Sequence, residues 1–221
     1  YLFDKEYVVL SNEASANEST VEGTQINHQY SKSYQFEQDF INYEKRYIDS
    51  GVYYFSLLRP FSELQIARYF ARHDKYFKVF KSCNVGSKSD IWCCSCPKCL
   101  FVFGIMSPFI ELVTLTEIFG SNMLEDERLI PIFNKLIGEE PEKPFECVGT
   151  RDELNTAICM AIKKWEAKGI SLPLLYRYYK SKSLYQTYKE RDADLYFKYY
   201  NEENSVPAVF VRELKNQMLD E

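Results

Sequence analysis

The stretch EYVVLSN (residues 6–12) has a nearly continuous apolar middle and ends in polar residues. That pattern predicts a buried parallel strand, covered on both faces, and not a half-solvated antiparallel one. The polar segment 11–33 follows, longer than a connecting loop usually is, and loops of that length are functional or disordered. Phe36, Phe40, Tyr43 and Tyr47 then repeat at helical spacing and make one face. Gly51 stops that helix, and VYYFSLL (52–58) reads as a second strand.

Working outward, Ser62 and Gln65 form a capping box for a helix running to about His73. KYFKVFKSC (75–83) reads as a short third strand. Pro97 suits the first turn of a helix over 97–107 that is apolar all round and therefore belongs in the core. Pro108 breaks it, and a helix over 109–119 follows. Asp126 caps a helix over 127–137, ended by Gly138. Thr150 and Glu153 make another capping box, and Leu154, Ile158, Ala161, Ile162 and Trp165 lie on one face of the helix after it. Residues 172–221 read as two or three short helices. The order strand–helix–strand–helix–strand, then helices, is that of the second half of an open α/β sheet followed by a helical region. The division expected is 1–107 and 108–221.

Composition narrows the function classes. The 221 residues are 46% hydrophobic, which excludes wholesale disorder. A net charge of −5 does not suit general nucleic-acid binding, which needs a basic face. A local exception is RYFARHDKYFKVFK (68–81), where basic residues alternate with aromatics on which bases could stack. An amphipathic helix with a solvated basic face explains the same pattern. The longest apolar run, LFVFGIM (100–106), is far below the roughly 20 residues of a membrane helix.

Five of the seven cysteines fall within residues 83–99. Cys93, Cys96 and Cys99 are spaced CxxCxxC, with Cys83 upstream across a turn containing Asn84 and Gly86. Four thiolates so placed can close a tetrahedral zinc site with sulfur about 2.3 Å from the metal. Such a closed site is structural, with no open position for chemistry. Cys94 is the spare thiol and should point away. Clustered cysteines of this kind indicate a reducing compartment, so a cytoplasmic protein is expected. A redox-active CxxC and simple buried thiols are the other readings.

The pattern of Cys83 followed by CxxCxxC resembles the zinc knuckle (81–100) of PP-loop ATPases that make 7-cyano-7-deazaguanine. A narrower resemblance rests on SNEASANE (11–18), NHQYSKS (27–33), FKSCN (80–84), WCCSCPKCLFVF (92–103) and PFECVGT (144–150). Together these resemble the UDP-N-acetylmuramoyl-L-alanyl-L-glutamate epimerase family. The resemblance implies an isomerase using ATP and Mg²⁺ to adenylate the α-carboxylate of the terminal L-Glu of UDP-MurNAc-L-Ala-L-Glu. Proton exchange at Cα and hydrolysis then give D-Glu for peptidoglycan. It also implies a PP-loop (HUP-like) open parallel sheet. Adenylation on that fold needs a Gly-rich SGGxDS loop, and the eight glycines here are scattered singly. The chain therefore reads as the C-terminal part of such a protein, inactive alone, its phosphate-loop half elsewhere; the absent initial Met fits this. Another PP-loop enzyme acting on tRNA or a small carboxylate, and a non-enzymatic zinc-stapled binding module, are the alternatives.

Ligands of open α/β sheets sit beyond the C-terminal ends of strands. Asn12, Glu13, Ser15 and Asn17 follow such an end, where a carboxylate could hold Mg²⁺ or move a proton; an Asx-rich loop that merely caps a helix would look the same. His28, beside Tyr30 and Lys32, has a side chain suited to acid–base work near neutrality. Cys147 precedes a capped helix N-terminus, which favours a thiolate, with Glu146 next to it. Arg59 follows the second strand and could meet an anion. With the resemblance, Glu13, His28 and Cys147 are the catalytic candidates. Asn12, Ser15, Asn17, Lys32 and Arg59 are the binding candidates, and Cys83, Cys93, Cys96 and Cys99 the metal ligands.

Overall fold

The computed structural model describes residues 4–17, 29–144, 146 and 148–219. In chain order the elements are β1 (Tyr7–Leu10), α1 (Tyr34–Tyr43), β2 (Tyr53–Ser56), α2 (Glu63–Phe70), α3 (Pro97–Met106), α4 (Leu112–Phe119), α5 (Ile130–Ile137), α6 (Arg151–Ala167), α7 (Leu174–Lys180), α8 (Ser183–Tyr188), α9 (Asp194–Phe197) and α10 (Ala208–Met218). The class is α/β and mostly helical. Packing divides the chain into two units, 1–66 with 196–221, and 67–195, so this boundary does not coincide with the 107/108 division expected from sequence.

In the first unit β1 and β2 pair in parallel, Tyr7 opposite Tyr53 and Leu10 opposite Ser56. Parallel neighbours need a long crossover, and α1 lies in it. Ser33 caps that helix by accepting the amide of Phe36 at 3.1 Å. Phe36 packs on Phe40, and Phe40 on Tyr54 of β2 at 4.5 Å between ring centroids. The predicted apolar face is only half used, because Tyr43 and Tyr47 are exposed. The buried residue of α1 is Glu37. Asp49 in the left-handed region ends the helical segment, and Gly51 follows with φ +74°. On the sheet's other face Phe210 of α10 packs against Tyr7 and Phe55.

Two expectations about strands are corrected. The strand in EYVVLSN forms but is not buried: Val8 and Val9 are 44% and 49% exposed. No strand forms over 75–83. Asp74–Tyr76 is instead a 3₁₀ turn, and Phe77 and Phe80 both turn back onto Phe70. Those aromatics follow the period of a turn and not strand alternation. Among the described residues the sheet therefore has two strands.

The second unit is a helical core around α3 and α6. Gly104 lets the two helices approach closely, since a Cβ there would lie 2.8 Å from Leu154 Cδ1 and that side chain would have to move. Leu154, Ile158, Ala161, Ile162 and Trp165 are all buried, as their spacing predicts. Thr150 caps α6 by accepting the amide of Glu153. α4 starts at Leu112 and α5 at Ile130, each a few residues later than the periodicity suggests, because single turns precede them. Among the described residues no helix is long and apolar enough to cross a membrane.

Candidate metal centre and strand-end cluster

The sulfurs of Cys83, Cys93, Cys96 and Cys99 lie within 4.8 Å of one another. Around one ion, tetrahedral bonds of 2.3 Å set sulfurs about 3.8 Å apart. The separations of Cys83–Cys96, Cys93–Cys99 and Cys96–Cys99 are 4.0, 3.7 and 3.5 Å. The set can hold a metal ion and is compatible with zinc.

Local structure explains the convergence. Cys83 accepts the Gly86 amide at 3.1 Å, and Cys96 accepts the Cys99 amide at 3.5 Å as the N-cap of α3. The bond from the Cys99 amide favours the thiolate of Cys96. Gly86 cannot be replaced without a shift: a Cβ there would lie 2.1 Å from the Ile91 carbonyl oxygen. Cys94 adopts φ +54°, which turns its thiol away to donate to the Phe119 carbonyl at 3.2 Å. Trp92 stacks on Phe119 behind the site.

Burial pushes the Cys96 thiol up to about 11 and Cys99 further still. Burial also opposes ionisation of Cys93, but hydrogen bonds from Ser95, Cys96 and Cys83 outweigh it and bring Cys93 to about 6. Four thiolates together in this half-dry space need a compensating cation, and a divalent ion supplies it by displacing the protons.

Asn84, next to Cys83, donates its amide to Glu146 Oε2 at 3.3 Å. The FKSCN and PFECVGT motifs, 62 residues apart, thus meet. Arg151 supports the adjoining loop with hydrogen bonds to the carbonyls of Lys135, Glu140 and Pro141. Cys147 lies outside the described residues.

A second cluster forms in the other unit, beyond the C-terminal ends of β1 and β2. Asn12 donates to Ser56 Oγ at 3.1 Å, and Ser15 to Glu13 Oε1 at 3.2 Å. Asn17 ends a 3₁₀ turn over Ala14–Asn17. Arg59 lies beneath, fully buried. Its guanidinium donates to the carbonyls of Glu13 at 2.8 Å and Lys32 at 2.5 Å, and pairs with Glu37 at 3.3 Å. One cation thus ties both ends of the long loop to the start of α1. His28 lies outside the described residues. Glu37 and Ser56 belong to this cluster and were not among the candidates. Glu37 sits next to the apolar face of α1, where helical periodicity alone places a solvated acid.

Phe77 and Phe80 of the basic–aromatic segment each pack on Phe70, and Phe80 continues onto Trp92. Those rings serve the fold of the second unit.

Comparison with known proteins adds the following. The MurL N-terminal domain family model matches residues 1–57, and the MurL C-terminal domain model residues 79–183. The chain is 43% identical over 169 residues to a UDP-N-acetyl-alpha-D-muramoyl-L-alanyl-L-glutamate epimerase of Xanthomonas oryzae pv. oryzae, covering 73% of this chain and 38% of that protein. A protein of the same name from a Micromonospora species is 43% identical over 159 residues, covering 69% of this chain and 36% of its own. The Salinispora tropica protein of that name is 42% identical over 159 residues, with 69% and 35% covered. The chain thus spans little more than a third of the length of these relatives. No solved structure matches it.

Proposed function

The chain belongs to the UDP-N-acetylmuramoyl-L-alanyl-L-glutamate epimerase family, and from that premise we propose that it is part of an ATP-dependent isomerase of peptidoglycan precursor synthesis. The longer family polypeptide would invert the terminal L-Glu of UDP-MurNAc-L-Ala-L-Glu to D-Glu. ATP, with Mg²⁺, converts the α-carboxylate to an acyl adenylate and releases pyrophosphate. The adenylate acidifies Cα–H by removing the carboxylate's negative charge. One side chain takes that proton from one face, and a proton returns from the other. Water then cleaves the acyl–AMP bond, giving D-Glu and AMP. The observation that carries this reading is the likeness to curated epimerases, with the C-terminal family model spanning both the cysteine centre and the FECVGT loop.

In this reading Glu13, His28 and Cys147 are the acid–base groups, with Glu146 beside the last. Asn12, Ser15, Asn17 and Lys32 bind substrate or nucleotide at the strand ends of a PP-loop-type sheet. Arg59, its guanidinium committed to two backbone carbonyls and Glu37, acts by holding the loops. The four cysteines hold a structural zinc ion, which leaves no coordination position for substrate. The phosphate-loop half belongs to the longer polypeptide, and the protein works in the cytoplasm.

The test is the native polypeptide with UDP-MurNAc-L-Ala-L-Glu, ATP and Mg²⁺ in D₂O. One deuteron should enter Glu Cα per inversion, with ATP–pyrophosphate exchange dependent on the dipeptide substrate. Exchange with another carboxylate but none with this one would overturn the assignment.

A further inference from the structure

Among the described residues, β1 of the first unit pairs on one side only. The carbonyls of Glu6 and Leu10 accept the amides of Tyr53 and Leu57, so these positions of β1 face β2. By strand alternation the peptide groups of Tyr7 and Val9 face the opposite edge. Side chains alternate as well, but between faces. Tyr7 and Val9 share the face where Phe210 of α10 packs, while Val8 shares the face where Phe40 of α1 meets Tyr54. Val8 and Val9 are nevertheless 44% and 49% exposed. The C-terminal half of β2 is covered, with Phe55 1% exposed and Ser56 0%, although Tyr53 at its start is 58% exposed; Val9, paired with Phe55, is open. The layers are centred on β2, as though β1 were an inner strand of a wider sheet.

Physical precedent makes such an edge unusual. Parallel sheets are covered on both faces, and strands left at an edge are generally blunted by charge, Pro or a bulge. β1 reads Tyr-Val-Val-Leu and carries none of these. More than half of each curated relative lies outside its match to this chain, so a family polypeptide has sequence available to supply the neighbour.

We propose that the free edge of β1 is the seam at which the rest of the family polypeptide joins this chain, adding a strand beside Tyr7 and Val9 and cover over Val8 and Val9. The inference rests on the reading that activity resides in the longer polypeptide, but its test does not use activity. Val9→Lys and, on the opposite face, Val8→Lys are each placed in the isolated 221-residue chain and in the native polypeptide. In the isolated chain both side chains already meet water, so Tm and monomeric state should not change. In the native polypeptide each lysine should lower Tm by roughly 4 °C or more, since a charge would enter a packed layer. Val113→Lys, at a position 71% exposed on α4, is the control and should be silent in both. Equal losses in the two contexts, or none in either, would overturn the proposal. So would an isolated chain that self-associates and becomes monomeric on Val9→Lys while the native polypeptide is unaffected: the occupant would then be a second copy. Intact epimerisation in a native polypeptide insensitive to both lysines would retain the functional reading and reject the seam.

Discussion

Arg59 and Glu37 form an ion pair at 3.3 Å with side chains 0% and 2% exposed. Removing one partner of such a pair leaves a buried charge uncompensated, which costs about 3–5 kcal/mol. Arg59→Met should therefore destabilise the chain by that order in urea unfolding. The double variant Arg59→Met/Glu37→Met should recover part of the loss, because no lone charge remains. It should not restore the carbonyl ties to Glu13 and Lys32, so amide exchange in 11–17 and 29–33 should stay faster than in the parent. A double variant as unstable as the single one would show that the ties, and not the unpaired carboxylate, dominate.

The four-cysteine centre makes a separate prediction. The purified chain should contain about one zinc ion, and a strong chelator should lower its Tm sharply, since metal-binding energy is folding energy. Cys99→Ser should lose the metal. Cys94→Ser should keep full stoichiometry, because that thiol points to the Phe119 carbonyl. Gly86→Ala should weaken metal retention without removing any ligand, as its Cβ would collide with the Ile91 carbonyl. Elemental analysis of the three variants decides the matter, and a folded, metal-free Cys94→Ser would contradict it.

How much of this was legible in the sequence depends on what kind of signal each residue carries. Spacing alone located the four sulfurs, because a knuckle is local and its ligands sit on one turn and the following helix start. Helical period located the α6 face from Leu154 to Trp165, and side-chain chemistry located the caps at Ser62 and at Thr150. Two failures share a cause. KYFKVFKSC is rich in strand-forming aromatic and β-branched residues, yet Phe77 and Phe80 are claimed by Phe70, a tertiary contact that outranks local propensity. Glu37 carries no local signal, because its partner, Arg59, is 22 residues away and no local pattern links them. EYVVLSN was read as a buried strand from its composition; the residues are right for that, but burial needs neighbours on both sides of β1.

Asp152 supplies a pH dependence. Burial alone would raise its carboxyl, but hydrogen bonds from Tyr188 and Arg191 outweigh this and hold it below the ordinary value. A lowered carboxylate stabilises the fold above the unfolded-state pKa, about 3.9, and that stability is lost as pH falls through the folded-state value. The contribution is thus complete at neutral pH and fades below about pH 4. Asp152→Asn should lower Tm at pH 7 and have less effect near pH 3. The group is part exposed, so the size of the effect should fall with added salt. A difference independent of pH would mean that the tie to Tyr188, and not the charge, carries it.

Glu146 joins the two most distinctive motifs, and its contact with Asn84 separates two roles for the cysteine centre. If the centre only staples the second unit, Asn84→Ala should leave epimerisation unchanged once folding is intact. If it also positions the FECVGT loop, Asn84→Ala should lower kcat of the native polypeptide several-fold at full zinc content, because the 3.3 Å bond to Glu146 is lost. Glu146→Gln keeps the side chain's shape and an acceptor oxygen for Asn84, but removes the carboxylate. A loss with Glu146→Gln far larger than with Asn84→Ala would assign Glu146 to proton transfer. Similar small losses would assign it to a positioning role through Asn84. Zinc content and Tm measured on the same samples keep either result from being mistaken for unfolding.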